Sequence, residues 1–347
     1  VISTNLQVAK WTDADEHTDV IRCFLAALLL LMTPAAHAVV INTINGNGNT
    51  NAPADDPGWA NVGYINGASG IYLGAGWVLT AAHVGAGNIS FSGISYSPLA
   101  GSSIVLTNST IGRTTNTDLL MFQLASTPAG LGPLTLASSA PTLWTGVTMI
   151  GAGRDRGAFT KWNVNTNTTP WTWTETSSQT PDAAGYQTLE ASSMRWGTNT
   201  VSTANFWVIG TDGSPDVRSF VTAFTNTLSA SDEAQAVLGD SGGAVFTKKE
   251  SGWELSGAIF AVGGYSGQPS AATNAIFGNV TYSADLSYYA PQIMSIVPEP
   301  STYALIAFSF AALAFARRRR RWLPPTFLLS HFLRAAVRRE LRLPGSP

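Results

Sequence analysis

The tightest constraint on this chain is how short its apolar runs are. From Asn61 onward they come as Ile71-Tyr72-Leu73, Trp77-Val78-Leu79, Ile104-Val105-Leu106, Leu119–Leu124 and Val147-Thr148-Met149-Ile150, each closed by a turn-forming stretch rich in Gly, Ser, Asn or Thr. Runs of this length between turn signals suit antiparallel strands of a sandwich or barrel. No long stretch shows helical periodicity. Composition agrees: the chain is 45% hydrophobic and 12% charged, where a soluble domain is usually about a quarter charged. Abundant Thr, Val, Trp and Tyr favours strands. The polar stretch 154–232, with Trp162, Trp171, Trp173 and Trp196 scattered through it, is expected to add extended hairpins to the second half of the fold.

The two ends read as addresses rather than fold. Arg22 precedes the apolar run Cys23–Met32, followed by Pro34 and Ala36-His37-Ala38. A basic residue, a short apolar core and an A-x-A site make a secretory signal, with cleavage expected after Ala38. Residues 1–19 are polar and foreign to such a signal, so the true start is expected near Val20. At the other end Val297-Pro298-Glu299-Pro300-Ser301 leads into an apolar run, Tyr303–Ala316, and then Arg317–Arg321. This order resembles the PEP-CTERM sorting signal. The resemblance implies recognition by an exosortase in the inner membrane, a short transmembrane helix, and a basic cluster left on the cytoplasmic side. It places the protein in the envelope or exterior of a Gram-negative bacterium. The expected organisation is a leader over 1–38, a linker over 39–60, one domain over 61–296 with an enlarged segment at 154–232, the sorting segment over 297–321, and a tail over 322–347 to which no function is assigned.

Charge and cysteine usage exclude several functions. The formal net charge is −2, but the basic residues gather beyond residue 316 and the stretch between the two addresses is acidic. That leaves no basic face for nucleic acid. The one cysteine, Cys23, falls in the leader, so the mature domain is expected to stand without disulfides. One histidine and no cysteine in that region leave no zinc ligand set, and no cofactor is expected.

That histidine, His83, ends the segment Gly76-Trp77-Val78-Leu79-Thr80-Ala81-Ala82-His83. Asp118 opens the apolar run Asp118-Leu119-Leu120 and is the one acidic residue between Asp56 and Asp155. It serves either as a turn cap or as a carboxylate that orients a histidine. Ser241 stands in Gly239-Asp240-Ser241-Gly242-Gly243. A serine needs a base to become a nucleophile, and glycines around it let backbone N–H groups converge on a developing oxyanion. The same string fits the G-x-S-x-G elbow of α/β-hydrolases, but that arrangement needs a histidine after the serine. His331 alone follows, beyond the arginine cluster.

Taken in order, Thr80-Ala81-Ala82-His83, Asp118-Leu119-Leu120 and Gly239-Asp240-Ser241-Gly242-Gly243 resemble the three motifs of the trypsin/chymotrypsin family, over roughly 61–264. The resemblance implies an all-β fold of two antiparallel six-stranded β-barrels with the active site between them. It implies a serine-type endopeptidase acting on protein or peptide substrates through an acyl-enzyme. His83 would be general base and then acid, Asp118 its orienting partner, and Ser241 the nucleophile. The N–H groups of Gly239 and Ser241 would form the oxyanion hole, with Asp240 as a buried support. Gln235, six residues before the nucleophile, would lie at the floor of the specificity pocket. Phe260, Ala261, Val262 and Gly263 would pair with substrate backbone, implying cleavage after medium or large uncharged residues. No Ile-Val-Gly-Gly start precedes the first motif, so Asp240 is expected to have a partner other than a freed amino terminus. The alternative is a catalytically silent module that binds matrix polysaccharide or protein through its tryptophans.

Overall fold

The computed structural model describes residues 39–297 apart from 44, 45, 47, 212 and 227–231. The signal sequence, the apolar run Tyr303–Ala316 and the final tail lie outside the described residues. Among those described, no helix is long and apolar enough to cross a membrane.

A two-residue strand, β1 (Val40–Ile41), comes first. Seven strands then form one antiparallel sheet: β2 (Val62–Ile65), β3 (Ala68–Gly74), β4 (Trp77–Ala81), β5 (Ile89–Phe91), β6 (Ile94–Tyr96), β7 (Ile104–Thr107) and β8 (Asn116–Gln123), in spatial order β6-β5-β2-β3-β4-β8-β7. Two-residue turns close its hairpins. Asn66-Gly67 joins β2 to β3 with φ of 48° and 79°, and Ser92-Gly93 joins β5 to β6 with 48° and 82°. Two successive positive φ values match the right-handed twist of the flanking strands, which is why an Asn-Gly pair sits at such a corner. The apolar side of this sheet gathers Ile65, Tyr72, Val78, Ile89, Phe91, Leu120 and Phe122 into one core.

The second half begins with β9 (Gly146–Gly151), continues through β10 (Arg154–Asn165), β11 (Thr172–Glu175), β12 (Ala183–Ser192), β13 (Arg195–Val208), β14 (Val217–Ala223), β15 (Ala234–Gln235), β16 (Ala244–Lys249), β17 (Gly252–Gly263), β18 (Asn274–Ile276) and β19 (Val280–Asp285), and ends in helix α1 (Leu286–Ile296). Six of these strands close a barrel in the order β13-β14-β19-β17-β16-β9. Val147, Met149, Val201, Phe220, Val245 and Ile259 fill it, joined by Val39, Ile41, Ala234 and Ala236. Outside the barrel, β11-β10-β12-β18 form a separate four-stranded sheet. The polar stretch after Arg154 therefore folds into long hairpins, as its composition suggested.

The all-β expectation holds, with one closed six-stranded barrel in the second half. The first half is a seven-stranded sheet in which the segment after β6 turns back onto the end of β8, with Leu99 N donating to the Gln123 carbonyl at 2.7 Å and Ala125 N to that of Ser97 at 2.9 Å. Two other features differ from the sequence expectation. The expected linker over 39–60 starts with buried chain: Val39, Val40 and Ile41 are all 0% exposed, and β1 pairs with β15 through Val40↔Gln235 and Ile41↔Ala234. Helix α1 escaped the periodicity reading because Pro291 interrupts its pattern.

Phe220 is fully buried in the barrel, and a Cβ built on Gly257 would meet its ring at 2.6 Å. Phe220→Ala is expected to lower unfolding stability by about 3–5 kcal/mol. Ile111→Ala, at a 99% exposed position, should stay within about 0.5 kcal/mol of wild type. Urea unfolding of both variants checks the pair.

Candidate active site

Strand pairing brings His83 and Asp118 together. β4 and β8 are antiparallel neighbours with Thr80 opposite Leu120 and Ala81 opposite Leu119. The ladder runs one step further, with Ala82 N donating to the Asp118 carbonyl at 3.2 Å. The residue after Ala82 therefore falls beside the Asp118 side chain. One carboxylate oxygen accepts from the His83 backbone N at 2.9 Å and the other meets His83 Nδ1 at 2.7 Å. The imidazole is half exposed while Asp118 is 14% exposed. The hydrogen bond to Asp118 raises the His83 pKa above its ordinary value, against the opposing pull of burial and with further help from the carboxylate charge.

The serine loop is held on the other half of the molecule by a buried side chain that the sequence reading missed. Ser69 in β3 donates its N–H to the Ser241 carbonyl at 2.9 Å and its hydroxyl to the Gly239 carbonyl at 3.1 Å. The same hydroxyl accepts from Ala152 N at 2.8 Å. Thr80 Oγ1 donates to the Ser69 carbonyl at 2.7 Å. The serine loop is thus tied to β3 and to β4 at Thr80, three residues before His83. A serine in a short apolar strand gives no sequence signal of such a role; its complete burial does. Gly242 N bonds to the Ile259 carbonyl at 2.7 Å, and Gly243 N to that of Asp240 at 2.8 Å. The N–H groups of Gly239 and Ser241 have no acceptor among the described residues. Ser241 Oγ and His83 Nε2 are not hydrogen-bonded to each other.

Asp240 lies beneath this loop with no exposed surface. Its carboxylate accepts from Val237 N at 2.8 Å, Gly153 N at 2.9 Å and Val39 N at 3.2 Å. All three donors are backbone N–H groups of the continuous chain, in line with the expectation of a partner other than a freed amino terminus; Val39 is also the residue that follows the expected cleavage site. Burial pushes the Asp240 carboxyl up to about 7, although the three N–H donors and the charge of Arg195 oppose it. Arg195 is itself buried, donating to the Gly48 carbonyl at 2.6 Å and pairing with Asp155 at 3.3 Å. Gly151 and Gly153 leave space for the carboxylate: a Cβ at either would come within 2.5 Å of an Asp240 oxygen.

Of the residues expected to meet substrate, Phe260, Ala261, Val262 and Gly263 occupy the end of β17. β16 pairs with β17 only as far as Ala258, and β19 continues along its other edge to Gly263. Gln235 takes a different position. It is fully buried in β15, and its Nε2 donates to the carbonyls of Ala236 and Val280, each at 3.1 Å. Its Oε1 has no partner among the described residues.

Comparison with known proteins agrees with the sequence resemblance. Residues 45–195 match the Trypsin family model; the match includes His83 and Asp118 and ends before the serine loop. Residues 297–321 match the PEP-CTERM protein-sorting motif. No curated protein sequence matches the chain. Among solved structures, two inactive forms of the Rv3671c protease align with it, one of them a serine-to-alanine mutant from M. tuberculosis H37Rv. The mutant is 14% identical, covers 74% of this chain and 97% of its own, and has a TM-score of 0.41. The second is 15% identical, covers 68% and 89%, and has a TM-score of 0.39.

Gly242 has φ of +80°, and a Cβ there would stand 2.1 Å from the Ser69 carbonyl. Gly242→Ala is expected to displace the serine loop and abolish reaction with a serine-directed fluorophosphonate. Ser69→Ala, which removes two hydrogen bonds and adds no bulk, should weaken the reaction without abolishing it.

Proposed function

We propose that this chain is an exported serine endopeptidase that cleaves peptide bonds through an acyl-enzyme, with His83, Asp118 and Ser241 as its triad. The observation that carries this reading is the double grip of Asp118 on His83, through backbone N and ring Nδ1. That grip leaves Nε2 as the free ring nitrogen, the one a general base must present. The match to the Trypsin family model supports hydrolysis by a serine protease.

In this mechanism Ser241 Oγ attacks the scissile carbonyl carbon while His83 Nε2 takes its proton. The paired carboxylate of Asp118 stabilises the imidazolium so formed. The vacant N–H groups of Gly239 and Ser241 donate to the tetrahedral oxyanion. His83 then protonates the leaving amine, and water, deprotonated by the same imidazole, releases the acyl group. The missing bond between Ser241 Oγ and His83 Nε2 is compatible with this sequence, because catalytic hydrogen bonds often tighten only when substrate is bound.

The sorting motif supports export, with exosortase and the inner membrane as transient partners and the Gram-negative envelope or exterior as destination. Leader processing also bears on the site. Cleavage after Ala38 would convert the N–H that Val39 directs at Asp240 into an ammonium group. An ammonium would favour the ionised carboxylate and hold the loop that carries Ser241.

Leader-processed protein should be labelled by a fluorophosphonate, and Ser241→Ala and His83→Ala should not; a folded wild type that stays unlabelled points to the binding module instead. Asp118→Asn should lower kcat/KM by about 10,000-fold, with His83 left in the wrong tautomer. Activity requires neutral His83. Because Asp118 raises the His83 pKa, the acidic limb of the kcat/KM profile should lie above about 6.5, the ordinary histidine value. Unprocessed protein should label more slowly than processed. Its stability should also fall as pH rises: a carboxyl raised to about 7 contributes fully below about 4 and loses that contribution as pH climbs through 7. Processing should flatten this slope, as thermal unfolding across pH would reveal.

A further inference from the structure

A hollow outside the triad lies on the added four-stranded sheet. It measures about 720 Å³ and is lined by Trp171, Trp173, Tyr265, Asp182 and Phe277, among others. Trp173 lies in β11 and Trp171 immediately before that strand, and both rings meet Tyr265. The Tyr265 ring lies nearly parallel to Trp171, 6.3 Å away and 21° apart, and tilts towards Trp173 at 5.9 Å. Fully buried Trp162 meets Trp173 edge-on from behind at 6.3 Å. The arrangement is built in. Trp173 Nε1 donates to the Ser266 carbonyl at 3.0 Å, Tyr265 O–H to that of Phe277 at 3.3 Å, and Val164 N to the Asp182 carboxylate at 2.8 Å.

Two observations say what such a pocket accepts. Its charge is one-sided: among the described lining residues Asp182 is the one acidic side chain, and no Lys, Arg or His joins it. Aromatic faces carry negative potential and attract ammonium or guanidinium groups, so rings and carboxylate favour the same kind of guest. The chain itself leads from the serine loop to the pocket. Gly242 N bonds to Ile259 beside the nucleophile, β17 runs from there to Gly263 with its outer edge free of β16, and Tyr265 follows two residues later. At about 3.3 Å per residue, Tyr265 stands roughly 20 Å along the chain from Ile259. A substrate running antiparallel to β17 would bring its residues upstream of the scissile bond to that point.

We propose that this pocket extends the cleft and takes a basic side chain of the peptide substrate, about four to six residues before the scissile bond. The proposal rests on the endopeptidase reading for its register. Trp171, Trp173 and Tyr265 receive the cation on their faces and Asp182 neutralises it. The hairpin β10–β11 thereby adds a preference that the two sheets around the triad do not supply.

The test uses Ser241→Ala, so that binding is read without cleavage, and uncharged peptides carrying one Lys or one Glu walked along the chain. Titration followed by tryptophan fluorescence should show Lys peptides binding at least about fivefold tighter than their Glu twins at one upstream position. Adding Asp182→Asn, which keeps an acceptor for Val164 N–H, or Trp173→Ala should erase that difference. Equal binding of the twins, a preference that survives both changes, or a response to a neutral oligosaccharide and not to the peptides would overturn the proposal. Absence of fluorophosphonate labelling in wild type with the Lys preference intact would remove the endopeptidase reading and leave the pocket standing.

Discussion

A carboxylate with no access to water organises the centre of this molecule. Asp240 draws three backbone N–H groups to itself, from Val39, Gly153 and Val237. Those residues come from the start of the described chain, the exit of β9 and the approach to the loop that carries Ser241. A buried charge without such donors would be too expensive to keep, so chain geometry on all three sides is fixed by the need to satisfy it. Gly151 and Gly153 are part of the same arrangement, because any side chain there would occupy the space of the carboxylate. The loop bearing Ser241 inherits its shape from this constraint.

A second tie joins the halves of the fold above that point. Ser69 meets the carbonyls of Ser241 and Gly239 and the N–H of Ala152, while Thr80 holds the Ser69 carbonyl. His83 is delivered by the same strand that carries Thr80, and Asp118 by the strand paired with it. His83 and Asp118 belong to the first sheet, and Ser241 to the loop that enters β16 of the barrel. Their relative placement depends on a few hydrogen bonds between buried groups, which water cannot replace. Neither half carries all three side chains by itself.

The hairpins after Arg154 stand apart from this machinery. They add a sheet whose aromatic face meets the loop that follows β17, through Trp173 and Ser266. A scaffold that fixes chemistry in its core and varies its surface loops can change what it recognises while leaving the chemistry untouched.

The sequence by itself determined the strands, the turns and the candidates for the site. Short apolar runs specified antiparallel sheets, Asn66-Gly67 and Ser92-Gly93 specified their hairpins, and one histidine among the described residues left a single candidate for a base. These signals are local, carried by neighbouring residues and by the period of two along a strand. Pro291 hid helix α1, and the loose composition of 42–58 hid the buried entry of Val39–Ile41. Ser69 gave no signal, because a lone serine in a strand looks the same whether it faces solvent or clamps a loop. Tertiary structure alone decided that Val39 meets Asp240, 201 residues away, that Gln235 is enclosed in β15, and that Tyr265 joins Trp171 and Trp173. Each of these is a contact between distant segments, set by which surfaces must be buried together, and no local pattern of residues encodes it.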